Sequence, residues 1–135
     1  APVTAAPSLP PLGRTAVIAA DASGHYVADA RINGRAVSVM VDTGATTVAL
    51  TAETARRIHL APSAAEFHVP VQTANGTVKA ARVTIAEVSI GGVRAQNVEA
   101  LVLPAGALNV NLLGMTFLSR ISGFSSERGT FVLTQ

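Results

Sequence analysis

The sequence predicts an all-β domain of about seven strands with two short helices. Turn signals are dense: Asp21-Ala22-Ser23-Gly24, Asn33-Gly34, Asn75-Gly76 and Gly91-Gly92 each separate β-rich runs. Asn-Gly and Gly-Gly supply the positive φ that two-residue hairpin turns demand. Only two windows read as helix, and both are short. At 135 residues the chain is one domain, large enough to bury a core without disulfide or metal staples.

The strand runs are 15–20, 25–32, 35–41, 68–73, 77–90, 93–103 and 130–134. In the third run Val37, Val39 and Val41 alternate with Ser38, Met40 and Asp42. A pleated strand therefore puts Asp42 on the face opposite the valines. The first helix covers 52–58, with Thr51 as its cap and Glu53 in the first turn, favourable to the dipole. His59 stands where a helix-ending Gly is usual, and Pro62 stops any continuation. Leu112-Leu113-Gly114 reads as a buried strand ending in a turn, followed by the second helix over 115–121. Ser125-Ser126 reads as a polar turn before Glu127. Residues 1–13, with Pro2, Pro7, Pro10 and Pro11, read as a semi-rigid linker preceding a domain over 14–135.

Composition excludes several function classes. Hydrophobic residues make up 49% and charged residues 13%, which rules out a disordered chain. No apolar run approaches the ~18 residues of a membrane span. Without cysteine there are no disulfides, thiolate metal sites or Cys nucleophiles. Nine Arg and one Lys leave a net charge of +2 and lie scattered, so no basic patch interleaved with aromatics marks a nucleic-acid surface. His25, His59 and His68 lack metal-ligand spacing. Gly91-Gly92 joins two strands instead of opening a helix, which excludes a phosphate loop.

One stretch carries chemistry. Val41-Asp42-Thr43-Gly44-Ala45 puts a carboxylate after an apolar run and wraps it at once in a hydroxyl residue and a glycine. That suits an acid that activates water. Cutting an amide this way takes two carboxylates sharing a proton, and the motif occurs once. A weak internal repeat sharpens the point. Ile32-Asn33-Gly34-Arg35-Ala36 resembles Ile90-Gly91-Gly92-Val93-Arg94-Ala95, and each half runs from hairpin turn to strand, Gly loop and short helix. Only the first half has an Asp at its loop, so a second chain is expected to supply the partner.

Val-Asp-Thr-Gly-Ala followed by a hairpin and a later Leu-Leu-Gly resembles the retropepsin-type aspartic proteases. More narrowly, Gln72-Thr73-Ala74-Asn75-Gly76-Thr77 and Leu112-Leu113-Gly114-Met115-Thr116-Phe117-Leu118 are similar to the bacterial retropepsin-like proteins tethered at the inner membrane. The resemblance covers residues 14–135. It implies a retropepsin-like closed barrel acting as a C2 homodimer, with no metal and no organic cofactor. The implied activity is hydrolysis of polypeptides by an aspartic endopeptidase, on the periplasmic face of the inner membrane and with an anchor upstream.

The resemblance also implies site roles. Asp42 from each of two chains would hold the water, Thr43 would bond across the interface beneath them, and Gly44 would let a backbone N–H approach the carboxylate. Ala45 and Thr46 would border the cleft floor. Thr73, Ala74, Asn75 and Gly76 would form the flap tip over an extended substrate. Val110, Asn111 and Leu112 would wall a side-chain pocket. No aromatic residue sits near the flap tip, and Met115 stands where pepsins carry an acid, so specificity is expected to differ from theirs. Activity is expected to favour mildly acidic conditions. The rival reading is a catalytically silent dimeric peptide-binding or scaffolding module on the same fold.

Overall fold

A computed structural model describes residues 14–135; the proposed linker 1–13 lies outside the described residues. Ten strands run in the order β1 (Thr15–Ala19), β2 (Val27–Ile32), β3 (Arg35–Val41), β4 (Val48–Leu50), β5 (Phe67–Thr73), β6 (Gly76–Ile90), β7 (Val93–Val102), β8 (Asn111–Leu113), β9 (Gly123–Glu127) and β10 (Thr130–Thr134). Helix α1 (Ala52–Arg57) follows β4, and α2 (Met115–Leu118) follows β8.

Six strands close a barrel in the order β2-β3-β8-β4-β7-β6. Arg31 and Ile32 of β2 pair with Ser89 and Val88 of β6 to complete the ring. Strand β5 adds to the outer edge of β6, and β1, β10 and β9 form a separate three-stranded sheet. Both sheets share one core: Ile32, Val37, Val39, Leu50, Ile85, Val98 and Leu113 from the barrel pack with Ile18, Phe131 and Leu133 from the small sheet.

The turn chemistry follows the sequence at Asn33-Gly34, where both residues have positive φ (51° and 83°). It shifts by one residue at the long hairpin. There the turn residues are Ala74 and Asn75, Thr73 pairs with Gly76, and only Gly76 has positive φ (112°). Thr73 makes the difference, because its hydroxyl donates to the Gly76 carbonyl (2.7 Å) and accepts from the Asn75 N–H (3.2 Å).

Three strands lie outside the seven predicted runs: β8 is the buried strand read at Leu112-Leu113, and β4 and β9 are not among the expected strands. The three-residue β4 is too short to show a period, and it exists through its partners: it runs parallel to β7 and bridges β8 at Ala49–Leu112. The polar turn expected at Ser125-Ser126 is instead strand β9. A tight turn at Arg128-Gly129 (φ 50° and 76°) folds it back onto β10, and backbone pairing overrides its weak local propensity.

Helix α1 is capped as its sequence implies. Thr51 Oγ1 accepts from the Thr54 N–H (3.1 Å), Ile58 takes the C-cap, and His59 turns left-handed (φ 61°). Thr51→Ala is expected to cost about 1 kcal/mol, read as a shifted urea midpoint with an unchanged m-value. Helix α2 is shorter than the predicted 115–121. Its continuation breaks where Arg120 reaches across to donate to the Gln96 and Asn97 carbonyls of β7 (2.8 and 3.2 Å). Asn97 sits at φ 54° within that strand, with the β6–β7 register unchanged on either side of it.

Candidate active site

The parallel pairing of β3 with β8 sets the site's position. Val41 lies opposite Leu113, and the Asp42 N–H continues the ladder by donating to the Leu113 carbonyl (3.2 Å). Beyond these strand ends the 42–47 loop crosses the Gly114 loop. The Met115 N–H donates to the Ala45 carbonyl (2.8 Å). Thr116 Oγ1 accepts from the Val48 N–H (2.9 Å) and donates to the Glu99 carbonyl (2.7 Å). A Cβ on Gly114 would overlap the Thr47 carbonyl and stand 2.7 Å from the Ala45 oxygen. The two loops of the internal repeat thus lock against each other, and Gly114 is the residue that lets them touch.

Asp42 is half-buried, while Val37, Val39 and Val41 of β3 point into the core. Its Oδ1 accepts from the Gly44 N–H (2.9 Å), and its own carbonyl accepts from the Ala45 N–H (3.1 Å). A Cβ on Gly44 would stand 3.2 Å from Oδ1, so glycine keeps that approach open. One oxygen is thereby oriented by the backbone, and among the described residues no other donor competes for the carboxylate.

The cavity beside Asp42 holds about 550 Å³ and is lined by Thr43, Val41, Tyr26, Phe124, Ser125, Ser126 and Phe131. Asp42 is the single carboxylate in its wall. Tyr26 stands 5.3 Å from Phe131 between ring centroids, and Phe124 stacks on Phe131 at 5.7 Å. The Tyr26 hydroxyl and Ser126 Oγ lie 3.1 Å apart. Sequence reasoning missed these neighbours. A usable signal existed, since three of the chain's five aromatics gather here.

The other predicted site residues spread around this centre. Ala45 lies at the loop crossing and Thr46 is exposed. The β5–β6 hairpin carries Thr73, Ala74, Asn75 and Gly76 at its tip, and none of them lines the Asp42 cavity. Val71 and Val78 of the hairpin pack with Leu112 and Leu108 around Ala49, Ala80 and Leu103, in an apolar cluster separate from the main core. That cluster ties the hairpin base to the barrel. Val110 is exposed. Asn111 is buried and committed within the chain, where its Nδ2 donates to the Ser38 carbonyl (3.1 Å) and its Oδ1 accepts from the Thr51 N–H (3.0 Å). The Asn111 side chain therefore joins β3 to the start of α1. Asn111→Ala strands both backbone partners and is expected to cost about 1–3 kcal/mol, measured by chemical denaturation.

Residues 28–120 match the family model described as gag-polyprotein putative aspartyl protease. The chain belongs to this family of retropepsin-like aspartic proteases. It is similar to a solved retropepsin-like aspartic protease from Rickettsia conorii, with 33% identity and a TM-score of 0.77, covering 88% of this chain and 89% of that one. It is 44% identical over 99 residues to an uncharacterized protein in the cobV 5′ region of Sinorhizobium sp, and 34% identical over 117 residues to the uncharacterized protein RP867 of Rickettsia prowazekii (strain Madrid E). Those matches cover 73% and 87% of this chain but 42% and 50% of the relatives, so the chain spans about half the length of the curated relatives it matches. Family and fold agree with a peptidase, and the Asp-Thr-Gly loop falls inside the matched region.

Proposed function

We propose that the chain is one half of an aspartic endopeptidase, completed when a second copy brings its Asp42 opposite the first. The observation that carries this reading is the cavity beside Asp42, which contains the aspartate and no other acid among its lining residues. Strand β9 adds support. It forms one wall of that cavity and, among the described residues, pairs only with β10, which leaves its other edge unpaired there, and an open edge invites another chain. A C2 axis passing beside Asp42 would bring two copies of the same loop face to face.

Two carboxylates that close cannot both ionise, so the pair holds one proton. The ionised member takes a proton from the bound water, and the protonated member donates to the peptide carbonyl oxygen. The water then adds to the carbonyl carbon, and proton transfer to the amide nitrogen releases the two fragments. The Gly44 N–H keeps each carboxylate aimed throughout. Rate should fall on both sides of a mildly acidic optimum, where the shared proton is lost or a second one is gained. The substrate would lie extended beneath the β5–β6 hairpin, which would close over it. The reading extends to a location at the periplasmic face of the inner membrane, supported by the resemblance to tethered bacterial proteins and tested by fractionation of the full-length protein.

A mixing experiment tests the shared site. Wild-type and Asp42→Asn chains are co-refolded in equal amounts and assayed on a peptide library. If each site needs two aspartates, activity per total chain drops to about one quarter, because only one random pairing in four joins two wild-type chains. A drop to about one half would mean that each chain works alone. Tight peptide binding with no cleavage by the wild type would instead identify a binding module.

A further inference from the structure

A second pocket, of about 330 Å³, opens on the same strand that leads to Asp42. Asp21, His25, Val27, Met40, Asn109 and Val110 form much of its wall. Met40 precedes Asp42 by two residues. The pleat therefore turns both to the same face of the chain, about 7 Å apart along it. An extended peptide lying across Asp42 would have a side chain within reach of this pocket.

The walls differ in kind. Val27 sits opposite Met40 in the β2–β3 ladder. Val27 and Val110 are 44% and 45% exposed, two of only four large hydrophobics left exposed among the described residues. The rest of the wall is polar, with His25, Ser38, Asn109 and Asn111 beside a single acid, Asp21. Its Oδ1 accepts from the backbone N–H groups of Ser23 (2.8 Å) and His25 (2.9 Å), which fixes the side chain at the pocket rim. The His25 N–H above all, with the Ser23 N–H behind it, holds the carboxyl below the usual carboxylate range, so it stays charged in the mildly acidic conditions that an Asp dyad favours.

We propose that this pocket selects a Lys or Arg side chain of the substrate close to the scissile bond. The methylene stem would lie on Val27, Met40 and Val110, and the cationic head would meet Asp21. Such a side chain matches both parts of the wall, apolar along its length and cationic at its end. The proposal rests on the endopeptidase reading for the word scissile, but the pocket's selectivity can be measured without cleavage.

Two readouts on one peptide library test it. Cleavage sites are profiled for the wild type. Binding is profiled separately with Asp42→Asn, by recovering and sequencing the bound peptides. Lys and Arg are expected to be enriched over Met at one fixed position by about 5-fold, the scale of a partly exposed charge pair. Adding Asp21→Asn keeps an oxygen that can accept the Ser23 and His25 N–H groups, so the loop is retained while the charge is lost. The enrichment ratio is expected to vanish in that variant, and Asp21→Lys is expected to shift it toward Glu. An unchanged ratio in Asp21→Asn overturns the proposal, as does a bound set with no basic preference or no bound set at all. Basic enrichment among bound peptides with no cleavage by the wild type would overturn the endopeptidase reading and leave the pocket assignment standing.

Discussion

Asp42→Asn is expected to lower peptide hydrolysis by at least about 10³-fold, within the range that a positioned acid–base group contributes. The substitution is close to isosteric. An amide oxygen still accepts from the Gly44 N–H that now meets Oδ1 at 2.9 Å, so the loop keeps its shape. What the amide cannot do is take a proton from water or share one with a facing carboxylate. The loss should therefore fall on turnover, with the thermal midpoint and the sedimentation profile close to wild type. Initial rates on a cleavable peptide and a melting curve on the same preparation make the test. Cleavage within about 2-fold of wild type would falsify the assignment.

Gly114→Ala is expected to produce the largest structural effect of any single methyl group in the chain. The added Cβ would overlap the Thr47 carbonyl and press on the Ala45 carbonyl, both of them backbone atoms. Backbone cannot swing aside as the end of a flexible side chain can. Relief requires the 42–47 and 114 loops to separate, which breaks the bond from the Met115 N–H to the Ala45 carbonyl and loosens the Thr116 hydroxyl from Val48. Overpacking of this kind costs about 1–3 kcal/mol or more, and the lost bonds add to it. A fall of roughly 10 °C or more in melting temperature follows for a domain of this size. Activity should fall even in the fraction that folds, because the strained loop is the one that aims Asp42. A melting temperature within about 2 °C of wild type would mean that the loop crossing is looser than its contacts indicate.

The fold was readable wherever local chemistry and tertiary need agreed. Asn33-Gly34 adopts its left-handed turn because the dipeptide strains least there, and Val37, Val39 and Val41 face inward because a two-residue period admits no other choice once the core forms. Thr51 caps α1 through its own hydroxyl. Reading failed where a partner far along the chain decided the outcome. Strand β4 has three residues and no pattern of its own, yet it sits between β8 and β7 and holds the 42–47 loop against Gly114. Strand β9 looks like a polar turn until β10 folds back on it. The hairpin tip moved by one residue because a threonine hydroxyl, not the Asn-Gly pair, set the turn.

The candidate site divides in the same way. The sequence alone marked Asp42, its Gly44 donor and the single copy of the motif, since these are matters of residue identity and adjacency. It also placed Gly114 in a second loop that mirrors the first. Only the tertiary structure decided that these loops cross, that Asn111 spends its side chain inside the chain, and that Tyr26, Phe124 and Phe131 gather around the aspartate. Asp21 and Met40 belong to that second group, joined in one pocket by strand pairing. The physical reason is range. A turn, a cap or a strand's alternation is set by atoms a few residues apart, whereas a cavity is set by which distant strands the core draws together.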